Sequence, residues 1–132
     1  MQNNFCVIDY NKINWVDIQE KINKKNIDIF YLPSFLKSYS TLLEKHQKIK
    51  CALYSSGDSM ILYPFIERKI FFFIKLKEYK KYKDTTGVYG RNWILKSQNV
   101  NLEEIKLFEK NLKSYFSKEN IICSFDRMHP FI

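Results

Sequence analysis

Between Asn14 and Lys25 the apolar residues Trp15, Ile18 and Ile22 recur at helical spacing with polar residues between them, which predicts a first helix. Ile27 to Phe30 then alternates apolar and polar residues, the pattern of a short strand. Pro33 suits the first turn of a second helix, where the N–H it lacks has no intrahelical partner. Phe35, Leu36, Tyr39, Leu42 and Leu43 are the expected buried face of that helix.

Two β-rich runs follow, Ile49 to Tyr54 and Ser59 to Phe65, joined by Ser55-Ser56-Gly57-Asp58. Gly and Asp between such runs signal a hairpin, because the turn needs a residue that tolerates positive φ. Pro64 is expected to end the second strand or to sit at an edge, since it cannot donate to a ladder. Ile70 to Leu76 is a candidate extension of the sheet. Leu102, Ile105, Phe108, Leu112, Tyr115 and Phe116 mark the cleanest amphipathic helix in the chain. Asn101 or Asn99 caps it, with Glu103 and Glu104 in the first turn, where the helix dipole favours negative charge. Ile121 to Phe125 forms the last strand.

This order predicts an α/β (α+β) domain with a mixed, mostly antiparallel sheet and about three main helices. The 132 residues suit one domain and are too few for two. Neither an internal repeat nor a Gly/Ser linker interrupts them. The final residues follow the last strand with no polar tail, as expected of a lobe truncated at its C-terminus.

Composition sharpens the class. Hydrophobic residues at 45% and aromatics at 17% belong to a globular chain, not a disordered one. The net charge is +8, but the cations are nearly all Lys; only Arg68, Arg91 and Arg127 are Arg. Arg is the side chain suited to bidentate phosphate and base-edge contacts, so nucleic acid is not the expected partner. No basic segment leads into an apolar run at the N-terminus, and the longest apolar run, Ile70 to Ile74, is far below the ~20 residues of a bilayer span. A cytoplasmic protein without a membrane span is expected.

Most candidate chemistry falls away on spacing. Cys6, Cys51, Cys123, His46 and His129 offer no metal-binding pair, and no C-x-x-C exists. Cys51 and Cys123 lie in β-rich runs, where a free Cys is expected to be a small buried hydrophobe. Cys123, Asp126 and His129 lie too close along one segment to fold into a nucleophilic triad. Lys75 to Lys83 interleaves Lys with Tyr, which suits either a solvated Lys-rich edge or a surface tracking a phosphate backbone. With only Gly57, Gly87 and Gly90, the chain has no P-loop or dinucleotide fingerprint. It also lacks the Gly-bearing turn at a helix start that an acyl-CoA donor needs.

Three segments in order resemble the N-terminal half of the Fem-type (FemAB-like) aminoacyl and acyl transferases of the GNAT superfamily. The first is Ile29-Phe30-Tyr31-Leu32-Pro33-Ser34-Phe35-Leu36-Lys37-Ser38-Tyr39, similar to the family's strand leading to a Pro-x-aromatic/Leu helix. The second, Asp84 to Asn92, resembles its Asp…Tyr-Gly-Tyr-Gly-Gly stretch; Arg91-Asn92 stands where the second Tyr-Gly is usual, and the following Gly is missing. The third, Phe125-Asp126-Arg127-Met128-His129-Pro130-Phe131, resembles its Phe-x-Arg-x-His-Pro-Leu strand ending.

The resemblance spans about Trp15 to the C-terminus and implies a GNAT-like half-fold, the acceptor-side lobe of an acyltransferase acting on a cell-envelope or polysaccharide precursor. It implies no cofactor in this chain, the acyl-CoA or aminoacyl-tRNA donor belonging to a full-length relative. It also implies inactivity alone, and a partner that is a second GNAT-like lobe or a second copy joined through the C-terminal strand. An anionic small-molecule acceptor would meet Asp84, Tyr89, Gly90, Arg91, Arg127 and His129. Each has a structural reading as well: Gly90 permits a turn, Tyr89 fills core, and Pro130 holds His129 extended. Arg127 has Asp84, Asp126 or an acceptor phosphate as alternative partners. The alternative function is a small basic binding module for nucleic acid or an anionic surface, without enzymatic ancestry.

Overall fold

A computed structural model describes residues 4–22, 31–72, 76–88 and 94–127. In chain order the elements are β1 (Asn4–Asp9), α1 (Trp15–Lys21), α2 (Pro33–Ser40), β2 (Gln47–Ser56) and β3 (Ser59–Lys69). Then come β4 (Lys83–Thr86), β5 (Leu95–Lys96), α3 (Leu102–Lys118) and β6 (Ile121–Phe125). The strands make one six-stranded sheet in the order β1-β2-β3-β4-β6, with β5 paired to the other end of the β3 flank. All pairs are antiparallel except β4 with β6, which run parallel because α3 lies in the crossover between them. The expected mixed, mostly antiparallel sheet with three main helices is thus observed.

β2 and β3 form the central hairpin. Ser56 faces Ser59 across a two-residue turn, and Gly57 stands at its first central position with φ +57°. That sign of φ is what the hairpin turn requires and what a side chain would resist.

Both faces of the hairpin are covered, so β3 is buried continuously from Ser59 to Ile66. Ala52, Tyr54, Ile61, Tyr63 and Phe65 point to one face and pack with Phe108 of α3. Cys51, Met60 and Leu62 point to the other, against Ile18 of α1 and Ile22 just past its end; Ile49 and Ile66 meet Leu36 of α2 there. The period-two alternation of a strand therefore feeds two cores on opposite faces of the sheet.

Helix ends obey local chemistry. Pro33 opens α2. The Asn101 side chain accepts from Glu104 N–H while the Glu104 carboxylate accepts from Asn101 N–H, a closed capping box that decides for Asn101 over Asn99. At the other end of α3, Asn120 adopts φ 57°, a left-handed turn that drops the chain directly into β6.

Several expectations are corrected. The segment Asn4–Asp9, to which the hydrophobic pattern assigned no element, is a strand paired along β2. Ile70–Phe72 is a 3-10 turn, not an extension of the sheet; the rest of that candidate run, up to Leu76, is largely outside the described residues. The expected helix from Asn14 to Lys25 ends at Lys21, with Ile22 as its cap, and the strand expected at Ile27 to Phe30 also lies outside the described residues.

Leu42 falls past the end of α2 and is exposed, as is Leu102 on the first turn of α3. Pro64 neither ends β3 nor weakens its hairpin. Met60 and Ile70 turn their backbone N–H toward the β5 and β4 flank, so by alternation the ring nitrogen of Pro64 does too. It falls between Leu62, paired with β5, and Ile66, paired with β4, where neither strand asks β3 for a donor.

Candidate functional site

The parallel pair β4 and β6 brings together two chain segments that are far apart in sequence. Thr86 is in register with Phe125, and Gly87 donates its N–H to the Phe125 carbonyl at 3.3 Å. Gly87 and Asp126 therefore follow side by side at the carboxyl ends of two parallel strands. In open α/β sheets such ends are where ligands bind.

A chain of hydrogen bonds lies next to this point, on the α3 face. The Tyr63 hydroxyl donates to Asp126 Oδ1 at 2.6 Å, and the Ser124 hydroxyl donates to Asp126 Oδ2 at 3.1 Å. Ser124 Oγ in turn accepts from the Thr85 hydroxyl at 2.9 Å. Thr85 is buried and Asp126 is exposed, so the chain runs from the interior to the surface. Burial, and then the negative charge of Asp126, push the Tyr63 phenol well above its ordinary range, so it stays a donor.

Beside this cluster is a cavity of about 130 Å³ whose walls include Ile94, Phe108, Leu112 and Phe116, with Glu109 and Asp126 as its charged groups. The carboxylate of Asp126 has lone pairs beyond the two already used, so it can still accept from a hydroxyl or amine. An apolar recess ending in an oriented acceptor can hold and align a small polar nucleophile with an apolar neighbour.

The expected site residues divide. Asp84 is on the opposite face of the sheet from Thr85 and is held by Arg68, with Nε to Oδ1 at 2.9 Å and Nη2 to Oδ2 at 2.6 Å. Its carboxylate thus serves a fork-to-fork ion pair inside the fold. Arg127 is exposed just after β6, and among the described residues neither Asp84 nor Asp126 hydrogen-bonds to it. Tyr89, Gly90, Arg91 and His129 lie outside the described residues.

Tyr63, Ser124 and Thr85 were missed by sequence reasoning. Tyr63 sits inside an apolar strand run, where a Tyr carries no sign that its hydroxyl finds a carboxylate on another strand.

A second ionic cluster links β3, β4 and α3. Lys83 reaches Glu67 at 3.1 Å and Glu119 at 3.4 Å. Burial opposes the charge on Lys83, but the two carboxylates outweigh it and raise its pKa. The Lys/Tyr run is partly turned inward as well. The Tyr79 and Tyr82 rings lie 6.2 Å apart, and Lys81 Nζ sits 5.1 Å over the Tyr82 ring. A ring face that already carries a cation is less available for a base. Cys51 is buried as expected, whereas Cys123 is exposed on β6. Among the described residues no group of three His, Cys, Asp or Glu is arranged to hold a metal, and no helix is long and apolar enough to cross a membrane.

No family model, curated protein or solved structure matches this chain.

Proposed function

We propose that this chain is the acceptor-side lobe of a Fem-type, GNAT-like acyltransferase, binding a cell-envelope or polysaccharide precursor at the carboxyl ends of β4 and β6. One observation carries the reading. Two of the three family-like segments, read separately from the sequence, run side by side where Gly87 of one donates its N–H to Phe125 of the other. The cavity that ends in Asp126 lies nearby, between the β3–β6 side of the sheet and α3.

In this reading Asp126 accepts a hydrogen bond from the nucleophilic hydroxyl or amine of the acceptor. Tyr63 and Ser124 fix the carboxylate so that its free lone pairs point one way. An anionic portion of the acceptor meets Arg127 outside, since the cavity carries carboxylates and repels a second negative charge. The donor, acyl-CoA or aminoacyl-tRNA, is supplied by another lobe, because three glycines give too little close backbone approach for a phosphate cradle.

The test is a titration of isotope-labelled chain with nucleotide-linked sugar and peptidyl precursors of the envelope, followed by amide shifts. Gly87, Ser124 and Asp126 are expected to move together, and Asp126→Asn to abolish the response. Shifts confined to the Lys77–Lys83 region, or turnover of acyl-CoA or aminoacyl-tRNA by this polypeptide alone, would falsify the assignment.

A further inference from the structure

The cavity that ends in Asp126 is walled as much by α3 as by the sheet. Phe108, Leu112 and Phe116 recur at every fourth residue and so form one stripe of the helix, which Ile94 joins as the apolar wall. Two rings of that wall are held by neighbouring rings. Phe108 packs at 5.8 Å against Phe5, and Phe116 at 5.7 Å against Phe65, both edge to face. Glu109, three residues before Leu112, stands on the adjoining row of α3 and is exposed.

The polar side chains of the lining have one chemical sense. The Tyr63 hydroxyl donates to Asp126 Oδ1 and the Ser124 hydroxyl to Asp126 Oδ2. A hydroxyl carries a single hydrogen, so both donors are spent, and the lining side chains still offer only lone pairs. The two charged groups are both carboxylates, in a chain where Lys and Arg outnumber Asp and Glu by 22 to 14. Average composition would have supplied the opposite sign.

We infer that this cavity receives a primary ammonium group carried on a short apolar arm. A hydroxyl must both donate and accept, and no side chain of the lining donates to its oxygen. A carboxylate is repelled by both charged groups. An ammonium has three donors and no lone pair, so it fits an acceptor-only lining and brings the opposite charge. The volume is about 130 Å³, close to the roughly 150 Å³ of an apolar cavity that accepts benzene, so an arm of about four to six carbons fills it. The inference rests on the same cavity as the proposed function and narrows the group received there from hydroxyl or amine to amine. It concerns binding alone, and holds whether or not an acyl group is then transferred.

The test titrates the isotope-labelled chain near neutral pH, where an alkylamine is protonated as a lysine is. The probes are n-butylammonium chloride, n-butanol and sodium butyrate, with sodium chloride at matched concentration as the control. Butylammonium should shift the amides of Leu112, Ser124 and Asp126, and butyrate should shift none of them. Charge-assisted hydrogen bonds should make butylammonium bind roughly tenfold tighter than butanol. Added salt should weaken the ammonium and leave butanol unchanged.

Glu109→Gln keeps the size of an exposed side chain, so the melting profile should not change, while the preference for butylammonium over butanol falls several-fold. Glu109→Lys should abolish that preference. Butanol bound as tightly as butylammonium, a preference unmoved by Glu109→Gln, or shifts no larger than sodium chloride gives would each overturn the inference. The first of these leaves a hydroxyl acceptor, and with it the proposed function, standing. Butylammonium bound as described while envelope precursors leave Gly87 and Asp126 unshifted supports the inference and removes the proposed function alone.

Discussion

Tyr63, in the middle of the sheet, donates its phenol hydrogen to Asp126, just beyond the last strand, across 2.6 Å. One end of this bond is buried and the other is exposed. It ties the residue just after β6 to the centre of the fold.

Tyr63→Phe should therefore cost stability and loosen the Asp126 segment together. A hydrogen bond to a charged acceptor contributes about 1.5–3 kcal/mol, and water at the exposed carboxylate offsets part of that, so a loss of about 1–2 kcal/mol is expected. Urea unfolding of Tyr63→Phe, Asp126→Asn and the double variant gives the coupling directly. Additive losses in that cycle would show that the two groups do not act as a pair.

The alkaline limb of stability should be steeper than the acid limb. Cys51, Tyr63 and Tyr115 all have raised values in the folded chain. Burial is the first cause in each, joined by the nearby charges of Asp9, Asp126 and Glu67 respectively. Raised folded values mean that the unfolded chain gives up these protons first as pH rises. Stability is then fully present below the ordinary values, 9.0 for the thiol and 10.0 for the phenols, and falls above them. Lys83 acts in the same direction, losing its stabilising charge above its own raised value. Denaturant midpoints should drop from about pH 9 upward, with Cys51→Ala delaying the onset and Tyr63→Phe reducing the slope near pH 10. Midpoints that stay level across this range would refute the linkage.

How much of this could be read from the chain depends on whether a local rule had a distant competitor. α2, the hairpin and α3 were legible because Pro33, Gly57 and Asn101 each solve a backbone problem within a few residues of themselves. β1 was not, since Phe5-Cys6-Val7-Ile8 is an apolar run too short for its period to tell strand from helix, and it gains its structure by pairing along β2. Pro64 misled for the converse reason: its local meaning is an edge, and the edge exists only as the interval between β5 and β4. Cys123 looked like a buried hydrophobe because a strand at the rim and one in the centre share the same composition.

Among the described residues, neither Asp84 nor Arg127 lines the cavity that ends in Asp126. Nothing short-range could announce that Tyr63 and Ser124 converge on Asp126.

Asn101→Ala tests the clearest of the local rules. It removes the acceptor for Glu104 N–H, and without it the returning Glu104 carboxylate also loses its ordered position. Caps of this kind contribute about 1 kcal/mol, so a comparable drop in urea unfolding free energy is expected. Asn101→Asp should retain most of the stability, and Asn99→Ala should have little effect. A large loss at Asn99 would reassign the cap.

Asp84 is the expected site residue on which the geometry is most decisive, and it can be tested without any ligand. Arg68 grips both of its carboxylate oxygens across the β3–β4 pair, with Arg68 and Asp84 directly in register. If that pairing is what Asp84 is for, Asp84→Asn and Arg68→Gln should each lower stability by about 0.5–1 kcal/mol, the range for partly exposed pairs. Their losses should not add, because the second change removes an interaction already broken. Arg68→Lys should recover only part, since an ammonium cannot engage two oxygens in one plane. Precursor-induced shifts at Gly87 and Asp126 should persist in Asp84→Asn. If they vanish while the urea midpoint holds, Asp84 contacts the acceptor, and the ion pair with Arg68 is not its main role.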